Sequence, residues 1–440
     1  MNLLIYAKAK TNRLRYTCEL VFNQLLGIDF SITTNFQEFG TIDLPKINYG
    51  DEKLKKVPFI KAHSLLFEFG IKDIKFEVEN KGEVPLLFVT DDEHCDLKFD
   101  PFAAIFYMVS RYEEYLPFKA DKFGRFPSKA SIAHKYQFLQ QPVVNIWVNR
   151  IKNILSAYYP NIKYKEPKAK LQLTFDIDMA YAYRNKGFLR NAGGIIKEIS
   201  QFNFSKLSDR FGAISGLFPD PFYTFPYLIE QAKKYGQKPI YFFLVGEYGI
   251  NDKNVSLEQE EFRNLIKGMA DVGEIGLHPS YASNQNKKQL EIEHLQLEEV
   301  VKKSIDKNRQ HFLMVKLPDT YENLIELEMQ EEFSMGYADQ IGFRAGTASP
   351  FYFYNLRWEI KTKLKVIPLI MMDVTLKKYQ KLSIEKSIEK SIDLFQKVIN
   401  NNGYCSVVWH NNSLSDSEGW QGWRKLFEKQ LSIMYENSIS

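Results

Sequence analysis

Four places in the carboxyl-terminal part of the chain join an apolar run to residues that can bind a metal or move a proton. Leu171-Gln172-Leu173-Thr174-Phe175 leads into Asp176-Ile177-Asp178, and Ile275-Gly276-Leu277 leads into His278-Pro279-Ser280. Further on come Arg309-Gln310-His311 and Val407-Val408-Trp409-His410. Asp176 and Asp178 fall on one side of a strand if it persists. One carboxylate can then hold a metal while the other takes a proton from the attacking water. Neutral imidazole is a common ligand for zinc and related divalent metals. A histidine at the tip of a buried strand, such as His410 beside Trp409, is well placed to protonate a leaving group. Each feature alone also has a plain structural reading: Asp is frequent in strand-to-loop turns, and a histidine before Pro279 can be satisfied by backbone groups. Their recurrence is the signal, because an α/β barrel carries its active site at the carboxyl ends of its strands.

Three more residues belong to this inventory. Arg309 can pair bidentately with a carboxylate. Arg344 lies between Gly342 and Gly346, where backbone can approach a ligand closely. Asp373 ends the apolar run from Val366 and either orients a neighbouring imidazole or caps the next helix. Tyr181, Tyr281, Trp409 and Trp420 near the strand tips are candidates for stacking on sugar rings.

In this order, Thr174-Phe175-Asp176-Ile177-Asp178, His278-Pro279-Ser280, Arg309-Gln310-His311, Asp373 and His410 resemble the motifs of the polysaccharide deacetylase (NodB-homology, carbohydrate esterase family 4) superfamily. The likeness runs from about residue 170 to about 430, and the preceding region looks like the amino-terminal extension of a bacterial subgroup. It implies a distorted (β/α)7 barrel and metal-dependent removal of acetyl groups from an N-acetylated sugar or polysaccharide. Asp176 matches the general base and Asp178 the metal-binding acid of the TFDD motif, with Ile177 between them. His278 matches the first histidine of HSxxH; Ala282 and Ser283 stand near the place of the second, and His311 is the candidate replacement. Arg309 and Arg344 compete to orient the base. His410 matches the late general acid, with Asp373 as its orienting partner. The implied cofactor is a divalent metal ion, with zinc expected, on Asp178, His278 and His311, and the implied partner is a carbohydrate substrate. Two other readings stay open: a catalytically degenerate carbohydrate-binding protein on the same barrel, and a hydrolase of a non-sugar amide.

Strands are expected at Leu171–Asp176, Pro239–Val245, Glu274–His278, His311–Val315, Met335–Asp339, Val366–Asp373 and Tyr404–His410. Helices are expected between them at Phe225–Tyr235, Leu257–Asp271, Lys287–Lys307, Thr320–Glu331 and Ser383–Asn400. The Gly-, Ser- and Phe-rich stretch from Asn185 to Pro226 reads as an insertion over the barrel mouth. A charged, Pro-containing segment, Tyr164 to Lys170, separates an amino-terminal α+β or α/β domain (1–165) from the barrel (166–440). In that domain Leu3–Tyr6 and Pro85–Val89 read as strands and Pro101–Tyr112 as a helix.

Composition narrows the function classes. Lys+Arg (58) nearly balance Asp+Glu (54) and are spread along the chain, so nucleic acid is not an implied partner. Cys18, Cys95 and Cys405 form no CxxC and no even set, which argues against a disulfide framework and a thiolate metal site. The basic residues Lys8, Lys10, Arg13 and Arg15 follow the first apolar stretch instead of preceding it, the wrong order for a secretory signal. With no apolar run long enough to span a bilayer, a soluble, cytoplasmic protein is expected.

Overall fold

A computed structural model describes residues 2–80 and 84–439. Four short runs, Asn2–Ala7 (β1), Asp29–Thr33 (β2), Lys46–Gly50 (β3) and Phe59–Lys61 (β4), pair in the order β2-β1-β3-β4. All three pairings are parallel, so the amino-terminal region is α/β in character. Val78–Glu79 (β5) and Leu86–Leu87 (β6) make a two-stranded antiparallel ribbon, shorter than the expected Pro85–Val89 strand. The helix Pro101–Val109 is buried on every face. Its start follows from chemistry: Asp100 accepts from Phe102 N and Ala103 N, and Pro101 lacks only an N–H that would have no helical partner.

Eight more strands follow: Lys170–Ile177 (β7), Ile240–Leu244 (β8), Glu274–His278 (β9), Lys307–Asn308 (β10), Glu331–Met335 (β11), Phe351–Asn355 (β12), Ile360–Met372 (β13) and Tyr404–His410 (β14). Neighbours run β11-β10-β9-β8-β7-β14-β13, and a parallel β11–β13 pairing closes the ring. The result is a closed barrel of seven parallel strands with β12 antiparallel on the outside of β13. The (β/α)7 expectation is met.

Alternation along the strands sorts side chains between lumen and outer layer. Leu171, Leu173, Phe175 and Ile177 of β7 join the large outer core, as do Tyr241 and Phe243 of β8 and Val407 and Trp409 of β14. The lumen-facing set of β7 is instead Gln172, Thr174 and Asp176, all buried. Ile240 and Phe242 (β8), Phe333 (β11) and Ile367 (β13) form a separate apolar plug inside the ring. Gly276 makes room for it, since a Cβ there would lie 2.4 Å from the Phe242 ring.

Two expected strands are misplaced. The expected helix to Lys307 stops at Val301, where Lys302 takes a left-handed conformation (φ 58°). The strand that follows is the polar pair Lys307–Asn308, and His311 lies just beyond it, not at the head of an apolar strand. Likewise β11 is Glu331–Met335, ending where Met335–Asp339 was expected to begin. Its buried Glu332 survives in the barrel because it accepts from Tyr321 Oη at 2.6 Å and Ser334 N at 2.8 Å. The Asn185–Pro226 insertion contains two helices, Phe188–Ser200 and Phe204–Ser215. Among the described residues no helix is long and apolar enough to cross a membrane.

Candidate metal centre and catalytic pocket

Strand register brings the chemistry to one end of the barrel. Asp176 lies directly across from His410 in the β7–β14 pair, and His278 pairs with Leu244 at the tip of β9. Asp178, His278 and His311 place three ligand atoms within 4.8 Å of one another. His278 Nε2 is 3.2 Å from Asp178 Oδ1, and His311 Nε2 is 3.6 Å from Asp178 Oδ2. These spacings are close to the roughly 3.3 Å edge of a tetrahedron built on ligand bonds of about 2 Å.

The other nitrogen of each imidazole is already engaged. His278 Nδ1 lies 2.5 Å from Arg309 O, and His311 Nδ1 lies 2.8 Å from Asp252 Oδ1. With Nδ1–H donated to those oxygens, each Nε2 carries its lone pair toward Asp178, the outer-shell arrangement typical of metal-bound histidine. Asp178 Oδ1 is buried and has no hydrogen-bond partner. The donor set and this orphaned oxygen fit a divalent cation.

Without one, the neighbouring charges shift two of these groups. Burial opposes charge on His311, but Asp178 and Asp252 raise its pKa to about 9. Burial favours the neutral acid at Asp178, yet His311, His278 and His410 hold its carboxyl well below the usual carboxylate range.

Beside this triad, Asp176 is buried and accepts from Arg309 Nη1 at 2.9 Å through Oδ1. Its Oδ2 faces His278 Nε2 at 3.9 Å. Arg309 is itself fixed: Nη1 donates to Thr174 Oγ1 at 2.6 Å, Nε donates to Phe333 O at 3.1 Å, and the guanidinium lies 4.6 Å from the centre of the Phe242 ring. Across the pocket His410 Nδ1 lies 2.8 Å from Asp373 Oδ1, and its backbone N donates to Asp373 Oδ2 at 2.9 Å. Burial works against the His410 cation, but Asp373 and then Asp178 and Asp176 raise its pKa to about 10.

Seven of the eight singled-out residues therefore meet at the barrel mouth: Asp176, Asp178, His278, Arg309, His311, Asp373 and His410. Arg344 does not join them. It donates to Glu114 at 2.9 and 2.6 Å and to Gly336 O at 3.1 Å, within a buried cluster that includes Arg111. Its glycine-flanked setting serves a bond to the amino-terminal region. Trp409 points into the outer core, with its Nε1 donating to Gln430 Oε1 at 2.8 Å, so it is not available for sugar stacking. Trp420 does line the pocket.

Two contributors escape sequence reasoning. Asp252, in the loop after β8, receives His311 Nδ1 and Tyr281 N. Arg125, from the amino-terminal region, lines the pocket and donates to Phe312 O at 2.7 Å beside His311. Neither sits in a periodic or motif-like context.

A profile for a family of unknown function (DUF7033) matches residues 3–160. No curated protein matches the chain. Among solved structures, a Mycobacterium smegmatis protein described as a polysaccharide deacetylase is 13% identical, with a TM-score of 0.41, covering 62% of this chain and 85% of its own. The allantoinase PuuE is 12% identical, with a TM-score of 0.40 and coverage of 73% and 92%. A CE4-family pseudoenzyme from Bacillus anthracis is 14% identical, with a TM-score of 0.26 and coverage of 60% and 63%.

Proposed function

We propose that this chain is a metal-dependent hydrolase that removes the acetyl group from an N-acetylated sugar or polysaccharide. The reading rests on one observation: the Asp178–His278–His311 donor set shares a pocket with an arginine-held Asp176 and an aspartate-held His410. We assign residues 166–440 to the hydrolase and 1–165 to an accessory region.

Asp178, His278 and His311 would hold the cation, with zinc favoured by two imidazoles and one carboxylate. When bound, it supplies polarisation of the acetyl carbonyl and a water of lowered pKa. The remaining chemistry belongs to the chain. Arg309 occupies Oδ1 of Asp176, so Oδ2 is the oxygen free to take the proton of the attacking water. His410 keeps Nδ1 on Asp373 and presents Nε2, 3.7 Å from Asp178 Oδ2, to the pocket. That nitrogen carries the proton handed to the departing amine. Asp252 holds the His311 ring so that Nε2, not Nδ1, faces the metal position.

The assay is acetate release from N-acetylhexosamine oligosaccharides, run beside simple N-acetyl amides and small cyclic amides. Release from the sugars alone supports the reading. Turnover of only the non-sugar amides would move the substrate class. Sugar binding without turnover, by protein that holds no zinc and does not respond to added divalent metal, would favour the degenerate binding protein. Barrel architecture does not decide among these.

A further inference from the structure

The two helices of the Asn185–Pro226 insertion reverse the usual distribution of polarity. A water-facing surface helix buries an apolar stripe and exposes a polar one. Here the inner side is largely polar, with Ala213 the one apolar side chain the two helices fully bury. Arg210 donates to Glu198 at 2.9 and 2.7 Å and to Asn191 Oδ1 at 2.8 Å, and Arg210 and Glu198 are both buried. Gly194 allows the approach, since a Cβ there would lie 2.3 Å from Arg210 Nη2.

The outer side is apolar. Phe188 (84% exposed), Leu189 (84%), Phe202 (80%), Leu217 (77%), Ile196 (69%) and Phe204 (64%) lie on it. Of the 24 large hydrophobic residues exposed among the described residues, ten fall between Phe188 and Phe218. A contiguous exposed apolar surface of this kind marks a partner or a membrane.

The surrounding charge selects the occupant. Arg190 donates only to the carbonyls of Lys253 and Asn254, and Lys186 and Lys197 form no ion pair among the described residues. A second copy would bring the same excess of cations, five Lys and Arg against two Asp and Glu between residues 186 and 218. An anionic lipid surface satisfies both the apolar face and the Lys- and Arg-rich polar side, the pattern of an interfacial amphipathic helix. The hairpin's inner, polar side adjoins the catalytic pocket. A groove beneath the hairpin is lined by Lys186, Lys197, Lys377, Lys378 and Trp420, and the last two also line the pocket. Lys377 Nζ lies 4.0 Å from the centre of the Trp420 ring and is buried with no hydrogen-bond partner. At about 480 Å³ the groove has roughly twice the room of the 230 Å³ pocket it joins.

We propose that the hairpin spanning residues 188–218 is an interfacial membrane anchor, whose outer apolar face enters an anionic lipid bilayer. The docking is independent of the hydrolase reading and is measured without any turnover. Full-length protein is floated with vesicles of phosphatidylcholine alone or with added phosphatidylglycerol. Binding should be at least about tenfold stronger to the anionic vesicles and should weaken with salt. Combined Phe202→Ser, Phe204→Ser and Leu217→Ser should remove it by about tenfold or more, with circular dichroism and bound metal unchanged. Lys186→Gln with Lys197→Gln should weaken binding to anionic vesicles only, and serves if the apolar triple variant fails to fold. Absence of binding by folded wild-type protein, or equal binding by folded variants, overturns the proposal. So does a wild-type dimer in light scattering that the triple variant converts to monomer without either binding vesicles.

Discussion

Arg309 and Asp176 are joined by one hydrogen bond of 2.9 Å, from Nη1 to Oδ1, inside the barrel lumen. That bond leaves Oδ2 toward the pocket, the oxygen to which the proposed mechanism gives the proton. It also ties the base to strand β10, whose next turn carries His311. The proposed base and the proposed metal ligand are thus positioned by one segment.

Asp176→Asn keeps the shape of the side chain but removes the proton acceptor. Turnover should fall by at least about 100-fold while metal stoichiometry stays as in wild type. Acetate assays paired with metal analysis check both halves.

Arg309→Met would leave the buried Asp176 Oδ1 without its hydrogen-bonded cation. Breaking a buried pair from one side costs about 3–5 kcal/mol, so the denaturant midpoint should drop sharply. Arg344→Met should also destabilise, by stranding Glu114, but its metal affinity and the turnover of the folded fraction should match wild type. Equal losses of metal in both variants would contradict the separate roles given to the two arginines.

His311→Ala removes a ligand, whereas Asp252→Asn only weakens its support. Outer-shell changes typically cost 10–100-fold in metal affinity, so Asp252→Asn should fall in about that range and His311→Ala below it. Competition with a chromogenic chelator orders the two.

The metal-free protein should lose stability in alkali. The pKa of His311 is raised to about 9 and that of His410 to about 10, from 6.5 in each case. The folded state therefore binds more protons than the unfolded one above about pH 6.5. The stabilisation is complete below that pH and is lost as pH rises through about 9 and 10, by a few kcal/mol. Since ligation needs neutral His311, metal binding near pH 7.5 should also release a proton. Thermal melts across pH, and titration calorimetry in buffers of different ionisation enthalpy, read the two effects.

Legibility from sequence followed polarity. Asp176, His278, Asp373 and His410 stood out because each terminates an apolar run at a strand tip. Strands β10 and β11 were misplaced because their own residues, Lys307, Asn308, Glu331 and Glu332, are polar and are stabilised by tertiary partners. The apolar residues that drew the assignment, Phe312 to Val315, lie past the strand end. Asp252 and Arg125 were invisible for a related reason. Each reaches the site by loop geometry that no local periodicity records. The amino-terminal sheet could not be typed from sequence, since strands of three to six residues do not reveal parallel pairing.

The most direct test is to strip the protein of metal, add one equivalent of zinc, and follow acetate release from N-acetylhexosamine oligosaccharides. We expect no turnover in the stripped protein, full recovery near one zinc per chain, and no recovery in His311→Ala at the same zinc concentration. Turnover that persists in the stripped protein, or one tightly bound zinc per chain with no acetate released from any N-acetylated sugar, would contradict a metal-dependent deacetylase.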